Sequence, residues 1–230
     1  ANQAKPRIVI LAQKDKVEME DEIATQIESL GKTKVVCRTG SPLDISDLEI
    51  VNPDEARSII ILAPTDSNDP DSEIIKTILA LTNNPNRRTN PYHIVAEIAD
   101  PKNLAVAKMV GKNEAELIVT GDLISRIIVQ TSRQSGLSIV YTELLDFGGD
   151  EIYFKEEPAL VDRTFGDALL AYEDSTVIGL RPRDGGPQLN PPMSTRIQSG
   201  DQLIAISEDD DTIKLSSLIG AWDNLDQRLS

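Results

Sequence analysis

Short apolar runs alternate along the chain with stretches whose apolar residues recur every three or four positions. Arg7–Ala12 (RIVILA) is a continuous apolar run, the pattern of a parallel strand buried on both faces. From Val17 to Gly31 the period changes. Ile23, Ile27 and Leu30 recur at helical spacing with acids between them, and Gly31 predicts the stop. Lys34–Arg38 (KVVCR) predicts a second strand. Ser41-Pro42 then supplies an N-cap with proline at the first helical position, opening a short helix through Leu48. Arg57–Ala63 (RSIIILA) is a third strand pattern, and Asp69-Pro70 repeats the cap-then-proline signal ahead of Ile74, Ile75, Ile78 and Leu79. Tyr92–Ile98, a helix near Lys102–Val110, Ala115–Thr120 and a helix from Asp122 to about Arg133 continue the series.

Five strands, each followed by a helix, predict βαβ units with right-handed crossovers. The fold class is therefore α/β, a doubly wound, mostly parallel, Rossmann-like sheet. A further helix is predicted over Leu137–Leu145, and Gly148-Gly149 breaks the pattern. Beyond it, Glu151–Phe154, Thr176–Arg181 and Asp201–Ser207 (DQLIAIS) predict strands, with a short helix around Phe165–Leu170 and a turn at Asp184-Gly185-Gly186-Pro187. This is a small α+β lobe. The expected divisions are residues 1–147, 148–211 and a polar, weakly amphipathic tail at 212–230.

Charge narrows the partners. Against 23 Lys+Arg stand 38 Asp+Glu, a formal net charge of −15, which repels phosphate backbones and argues against a nucleic-acid module. The same balance disfavours adsorption to anionic lipid. No apolar run reaches the ~20 residues of a membrane-spanning helix, and no N-terminal stretch reads as a signal peptide, so the chain reads as cytosolic. A single cysteine makes no internal disulfide, and a single histidine disfavours zinc.

The chemistry of a doubly wound sheet belongs at its strand C-termini. The turn after the first strand, Gln13-Lys14-Asp15-Lys16, has no glycine to admit a pyrophosphate, and no P-loop pattern occurs. No G-x-S-x-G elbow is present. Cys37 reads as a small buried hydrophobe and His93 as a strand-edge residue. Carboxylates are plentiful. Glu18, Glu20, Asp21 and Glu22 crowd a helix N-terminus; Asp66, Asp69 and Asp71 follow the third strand; Glu208, Asp209, Asp210 and Asp211 follow the last. Hard cations take several such oxygens, but none of these groups has EF-hand spacing, and a solvated acidic surface or helix capping also accounts for each.

Several strings carry a resemblance. Val36–Pro42 (VCRTGSP), Leu48, Ala56–Ala63 and Asp66 with Asn68-Asp69 resemble the ligand-sensing RCK/TrkA-N domain of potassium channels and transporters. Ile8–Glu22, the Cys37–Pro42 string and Ile206–Asp211 (ISEDDD) look closer to one branch, the CASTOR and POLLUX cation channels of plant nuclear envelopes and their bacterial relatives. Phe165–Asp210 is similar to the small TrkA-C lobe of such domains. The resemblance covers the chain to about residue 211. It implies a non-enzymatic regulatory module of a tetrameric cation channel, with a membrane pore upstream in the same polypeptide and a cytosolic ring whose shape controls that pore. It implies Ca²⁺ as the regulatory ion of this branch, with NAD or another nucleotide placed second. Asp66, Asp69 and Asp71, then Glu208, Asp209 and Asp210, are the expected metal residues.

Two departures matter. The family's domain begins with one more strand and helix, bearing its turn glycine, and that unit is not in this sequence. Where the family often has an acid to meet a ribose, this chain has Gln13. A nucleotide would then lie among Gln13, Arg38, Thr39 and Ser41. The absent strand would be central in a sheet ordered 3-2-1-4-5, so its loss exposes two strand edges. The expectation is that this unit and the pore lie upstream, or that another chain fills the position. Subunit contacts are expected from the helices at Asp122–Arg133 and Leu137–Leu145, as in RCK dimers. A truncated nicotinamide-dependent oxidoreductase is a further reading, without a glycine loop or a catalytic base to support it.

Overall fold

The computed structural model describes residues 6–146 and 148–216, so most of the expected tail, 217–230, lies outside the described residues. The chain divides into two units that meet at Arg133 and Gln134. In the first, β1 (Arg7–Ala12), α1 (Lys16–Gln26), β2 (Lys34–Thr39), α2 (Ile45–Ile50), β3 (Ile59–Ile61), α3 (Pro70–Thr82), β4 (Ile94–Ile98), α4 (Leu104–Gly111), β5 (Ala115–Val119) and α5 (Thr120–Arg133) follow in order. Every strand pairing in this unit is parallel, as the alternation predicts.

The five strands do not form one sheet. β1 pairs only with β2, while β3, β4 and β5 form a separate three-stranded sheet in that order. β1 and β3 each keep one unpaired edge. Exposure follows from this: Ile8 is 50% and Val9 45% exposed on β1, and Ile60 is 68% and Leu62 73% exposed at β3. Ile8 and Val9 are consecutive and point to opposite faces, so β1 is uncovered on both. The run at 57–63 shortens to three strand residues, because a strand with a ladder on one side only has little to hold its ends.

The buried core lies between β3–β5 and their helices. Ile74, Ile78 and Leu81 of α3 pack with Ile94, Ala96 and Ile98 of β4, Ile61 of β3 and Ala107 of α4. Asp69 caps α3, accepting the Ser72 amide at 3.3 Å, with Pro70 at the first helical position as expected. Two caps differ from the sequence reading. α2 begins at Ile45 behind Asp44, whose carboxylate accepts the Ser46 amide at 2.8 Å, rather than behind Ser41. α1 ends at Gln26, so Ile27 and Leu30 fall beyond the helix and stay exposed, and Met19 is its one buried side chain. Gly31, the expected stop, is a turn residue at φ +55°.

Beneath the sheet, at the strand N-termini, a polar cluster closes the loops. Arg87 pairs with both oxygens of Glu114, and Glu114 also accepts the Tyr92 amide at 2.7 Å. Arg88 donates to the carbonyls of Asp54 (2.7 Å) and Ala56 (3.1 Å), and the Tyr92 hydroxyl donates to Asp54. The guanidinium carbons of Arg87 and Arg88 lie 4.4 and 4.7 Å from the Tyr92 ring centroid. Burial first, and then the Asp54 carboxylate, push the Tyr92 hydroxyl up to about 12.

The turn after α4 carries strain. Lys112 has φ 52° and ψ −126°, a region that costs a side chain about 1 kcal/mol or more and suits glycine. Lys112→Gly therefore raises the unfolding free energy by about 1 kcal/mol in urea titration; an unchanged midpoint would count against strain at this residue.

The second unit contains α6 (Leu137–Leu145), β6 (Glu151–Lys155), α7 (Phe165–Leu169), β7 (Thr176–Arg181), β8 (Gln188–Leu189) and β9 (Gln202–Ser207). Its sheet is antiparallel, ordered β6-β9-β7-β8. Leu160, Phe165, Val177, Leu180, Leu203 and Ile213 form its core. Thr164 and Asp167 close a capping box on α7. Buried Asp201 accepts the amides of Gln198 (2.9 Å) and Arg183 (3.1 Å), tying two turns together.

Candidate functional site

Parallel strands bring their C-terminal ends to one edge, and in the first unit that edge gathers the chain's unusual polar groups. On β1 and β2 the register sets Leu11 opposite Arg38 and Ala12 opposite Thr39. Gln13 follows directly, and the Gly40 amide donates to the Ala12 carbonyl at 3.0 Å. The structure thus brings Gln13, Arg38, Thr39 and Ser41 together. Gly40 has no room for a side chain, since a Cβ there would lie 2.9 Å from Asp47 Cγ. Ser41 donates its amide to Asp47 at 2.8 Å, and the Thr39 hydroxyl donates to the Lys14 carbonyl at 2.8 Å. Lys14 itself reaches Glu18 and Glu22. These ties shape the turn, and they leave Arg38 with one bond, to the carbonyl of its neighbour Cys37 at 3.0 Å. Cys37 is buried, as its apolar neighbours led one to expect.

On the other sheet the edge is organised by Glu97, which the sequence reading passed over. Its carboxylate accepts the Ala63 amide at 3.3 Å and the Thr120 hydroxyl at 3.0 Å. One side chain of β4 therefore joins the end of β3 to the first turn of α5. The signal was present as the only charge inside the apolar strand Ile94–Ile98. His93 lies outside that strand, exposed, with Nε2 3.6 Å from Glu116.

The expected acidic residues scatter. Asp71 is buried, 2% exposed, and its oxygens accept the amides of Ala99 (2.8 Å) and Asp100 (2.9 Å) and the Asn103 side chain (2.8 Å). Burial alone would raise its pKa, but these three donors outweigh it and hold the carboxyl below the ordinary aspartate range. Asp69 is the α3 cap, and Asp66 is exposed. In the second unit, Glu208 and Asp210 are exposed beside a turn in which Asp209 accepts the Asp210 amide at 2.7 Å and bonds with Thr212. Hydrogen bonding from Asp210 holds the Asp209 carboxyl below its usual value. Among the described residues, no three His, Cys, Asp or Glu side chains gather to hold a metal ion.

α5 and α6 carry a different feature. No residue of either helix is buried. On α5, Ile124 and Ile128 lie one turn apart on one face and are 56% and 63% exposed, and Leu123 and Val129 are 49% and 56% exposed. Ile139 and Leu145 of α6 are more than 70% exposed. Such faces mark contact surfaces. Among the described residues no helix is long and apolar enough to cross a membrane.

A family model described as Castor and Pollux, part of voltage-gated ion channel, matches residues 121–221. Another, described as calcium-activated potassium channel slowpoke-like RCK domain, matches residues 1–95. The protein named Probable ion channel CASTOR from Oryza sativa subsp. japonica is 37% identical over 208 residues, 89% of this chain and 23% of that protein. This chain belongs to the CASTOR/POLLUX-like RCK family. This likeness to channel proteins supports a non-enzymatic assignment. The chain spans less than a quarter of the rice relative, 23% of its length. The human SLO3 gating ring shares its fold, with a TM-score of 0.65 at 18% identity, over 90% of this chain and 40% of that one.

The sequence reading set Ca²⁺ ahead of NAD, and that order is corrected, because the expected metal residues gather at no common site among the described residues. A matched chain is described as the GsuK channel bound to NAD, with a TM-score of 0.38 at 17% identity over 92% of this chain and 38% of that one. In this CASTOR/POLLUX-like chain the physical reason lies in Asp71. Its carboxylate faces inward onto three donors, while Asp69 turns outward to cap its helix, so the two cannot close around one ion.

Proposed function

We propose that this CASTOR/POLLUX-like RCK domain is the cytosolic ligand-sensing module of a cation channel, that it works as a ring or dimer of copies, and that its ligand is a nucleotide. The observation that carries the reading is the continuity of the edge with α5. β5 runs into α5 without a loop, and Glu97 fastens the first residue of that helix to the ends of β3 and β4. A ligand that favours one arrangement of this edge therefore biases the helix whose apolar face is free for a second subunit. Through such interfaces the bias would reach a pore in the remainder of the full-length protein.

The ligand reading rests on Gln13, Arg38, Thr39 and Ser41, which converge where a parallel sheet takes nucleotides. The pyrophosphate needs amides that this chain does not supply, and the open edges of β1 and β3 mark where a further parallel strand, followed by its helix, would bring them. A longer chain carrying that unit should protect the amides of Ile8–Leu11 and Ile59–Ile61 from hydrogen exchange. Equal exchange in both chains would remove the added strand.

Two results test the function itself. NADH or ATP should raise the melting temperature of the complete gene product in ~0.15 M salt, where diffuse attraction is screened, and no shift with either would overturn the nucleotide reading. Ile124→Asp with Ile128→Asp should weaken self-association by ~10-fold or more in sedimentation equilibrium, since each places a charge in an apolar contact. Unchanged association would move the interface elsewhere.

A further inference from the structure

Arg38 is unusual for this molecule. In a chain with 38 acidic residues and a net charge of −15, it is half-buried and sits at the candidate ligand edge. Among the described residues it makes no ion pair within 4.0 Å, whereas the half-buried Arg87 pairs with Glu114. Its one hydrogen bond among the described residues, to the Cys37 carbonyl, uses a single donor of the guanidinium fork and leaves the other donors for a ligand. Asp47 of α2 accepts the Ser41 amide and lies over Gly40. A guanidinium with open donors at a ligand edge is a ready partner for a phosphate, which it can meet with two bonds at once.

Gln13 stands beside it. Arg38 is in register with Leu11, two residues before Gln13, so the two Cα atoms lie roughly 8 Å apart across neighbouring strands. At the end of a strand in a dinucleotide fold, a carboxylate accepts the two ribose hydroxyls and repels a phosphate on the 2′ position, whereas a neutral residue with an arginine nearby accommodates that phosphate. Here the residue at the end of β1 is neutral. Asp15, next along the turn, is committed to capping α1, accepting the amides of Val17 (2.8 Å) and Glu18 (3.3 Å).

We infer that the β1–β2 edge takes an adenosine bearing a 2′-phosphate, with Arg38 on the phosphate and Gln13 on the ribose. This rests on the nucleotide reading proposed above and specifies its ligand class. The phosphate is a dianion that fits the open fork, and the Asp15 carboxylate is turned onto the α1 amides.

The test is a calorimetric comparison of 2′,5′-ADP with 5′-ADP, and of NADPH with NADH, on the complete gene product. The 2′-phosphorylated partner of each pair should bind ~10-fold tighter, the strength of one charge-assisted contact. That preference should shrink as salt rises, and Arg38→Gln should abolish it. The wild-type comparison stands by itself if the variant does not fold. Equal or tighter binding of 5′-ADP and NADH would overturn the 2′-phosphate inference and leave the nucleotide reading in place. No binding by any of the four would overturn both.

Discussion

Asp71→Ala is expected to lower the unfolding free energy by about 3 kcal/mol, measured by urea denaturation. The carboxylate is the sole side-chain acceptor for the amides of Ala99 and Asp100 and also takes the Asn103 amide group. Removing it deprives three part-buried donors of their acceptor, and a hydrogen bond to a charged group contributes about 1.5–3 kcal/mol. Ordering is lost too, because these bonds fasten the first turn of α3 to the segment that leads into α4. Acid should reveal the same group. Its folded pKa lies below the unfolded value, so the bound carboxylate stabilises the fold fully above the unfolded pKa, about 3.9. That contribution is lost as pH falls through the folded value. Asp71→Asn should therefore flatten the acid limb of stability against pH, and an unchanged limb would count against this account.

Arg87→Leu is expected to be of similar size, about 3 kcal/mol. The pair it breaks is enclosed, with 16% of the Arg87 side chain and 14% of the Glu114 side chain exposed. A surface pair would contribute less than about 1 kcal/mol. Glu114 would keep the Tyr92 amide but lose its counter-charge, and burial would then raise its pKa. In the native protein the hydrogen bond from Arg87 is the leading cause of its low value, so this pair also stabilises above the ordinary glutamate range and fails in acid. Arg87→Leu combined with Glu114→Leu should recover much of the loss, because no charge is then left unpaired. A double variant as unstable as the sum of the single ones would show that the two residues act independently.

Both predictions concern the frame that holds the ligand edge, and the regions differ in what the sequence disclosed. β2, β7, α6 and the Asp69-Pro70 cap of α3 fall where the pattern places them, since each depends on its own residues. The turn residues Gln13, Arg38, Thr39 and Ser41 were legible as a group because consecutive parallel strands bring their C-termini together. The acids were less legible. Asp69 and Asp71 are two positions apart in sequence, yet one caps its helix toward solvent while the other turns inward onto the β4–α4 turn. Spacing cannot distinguish these, because the direction of a carboxylate in the first turn of a helix depends on what packs there.

Glu97 makes the same point from the other side. It was hidden in an apolar strand as a single charge, and its meaning required Ala63 and Thr120, which lie 34 and 23 residues away along the chain. By itself the sequence determined the order and type of the elements, the parallel first unit and its antiparallel successor, and the absence of a glycine-lined phosphate turn after β1. Those follow from periodicity, caps and composition, which are local. The division of the parallel strands into two sheets, the inward turn of Asp71 and the unpaired state of Arg38 were decided only by the tertiary structure. Each depends on which groups from distant segments arrive beside a residue, and hydrogen bonds and charges are satisfied by neighbours in space.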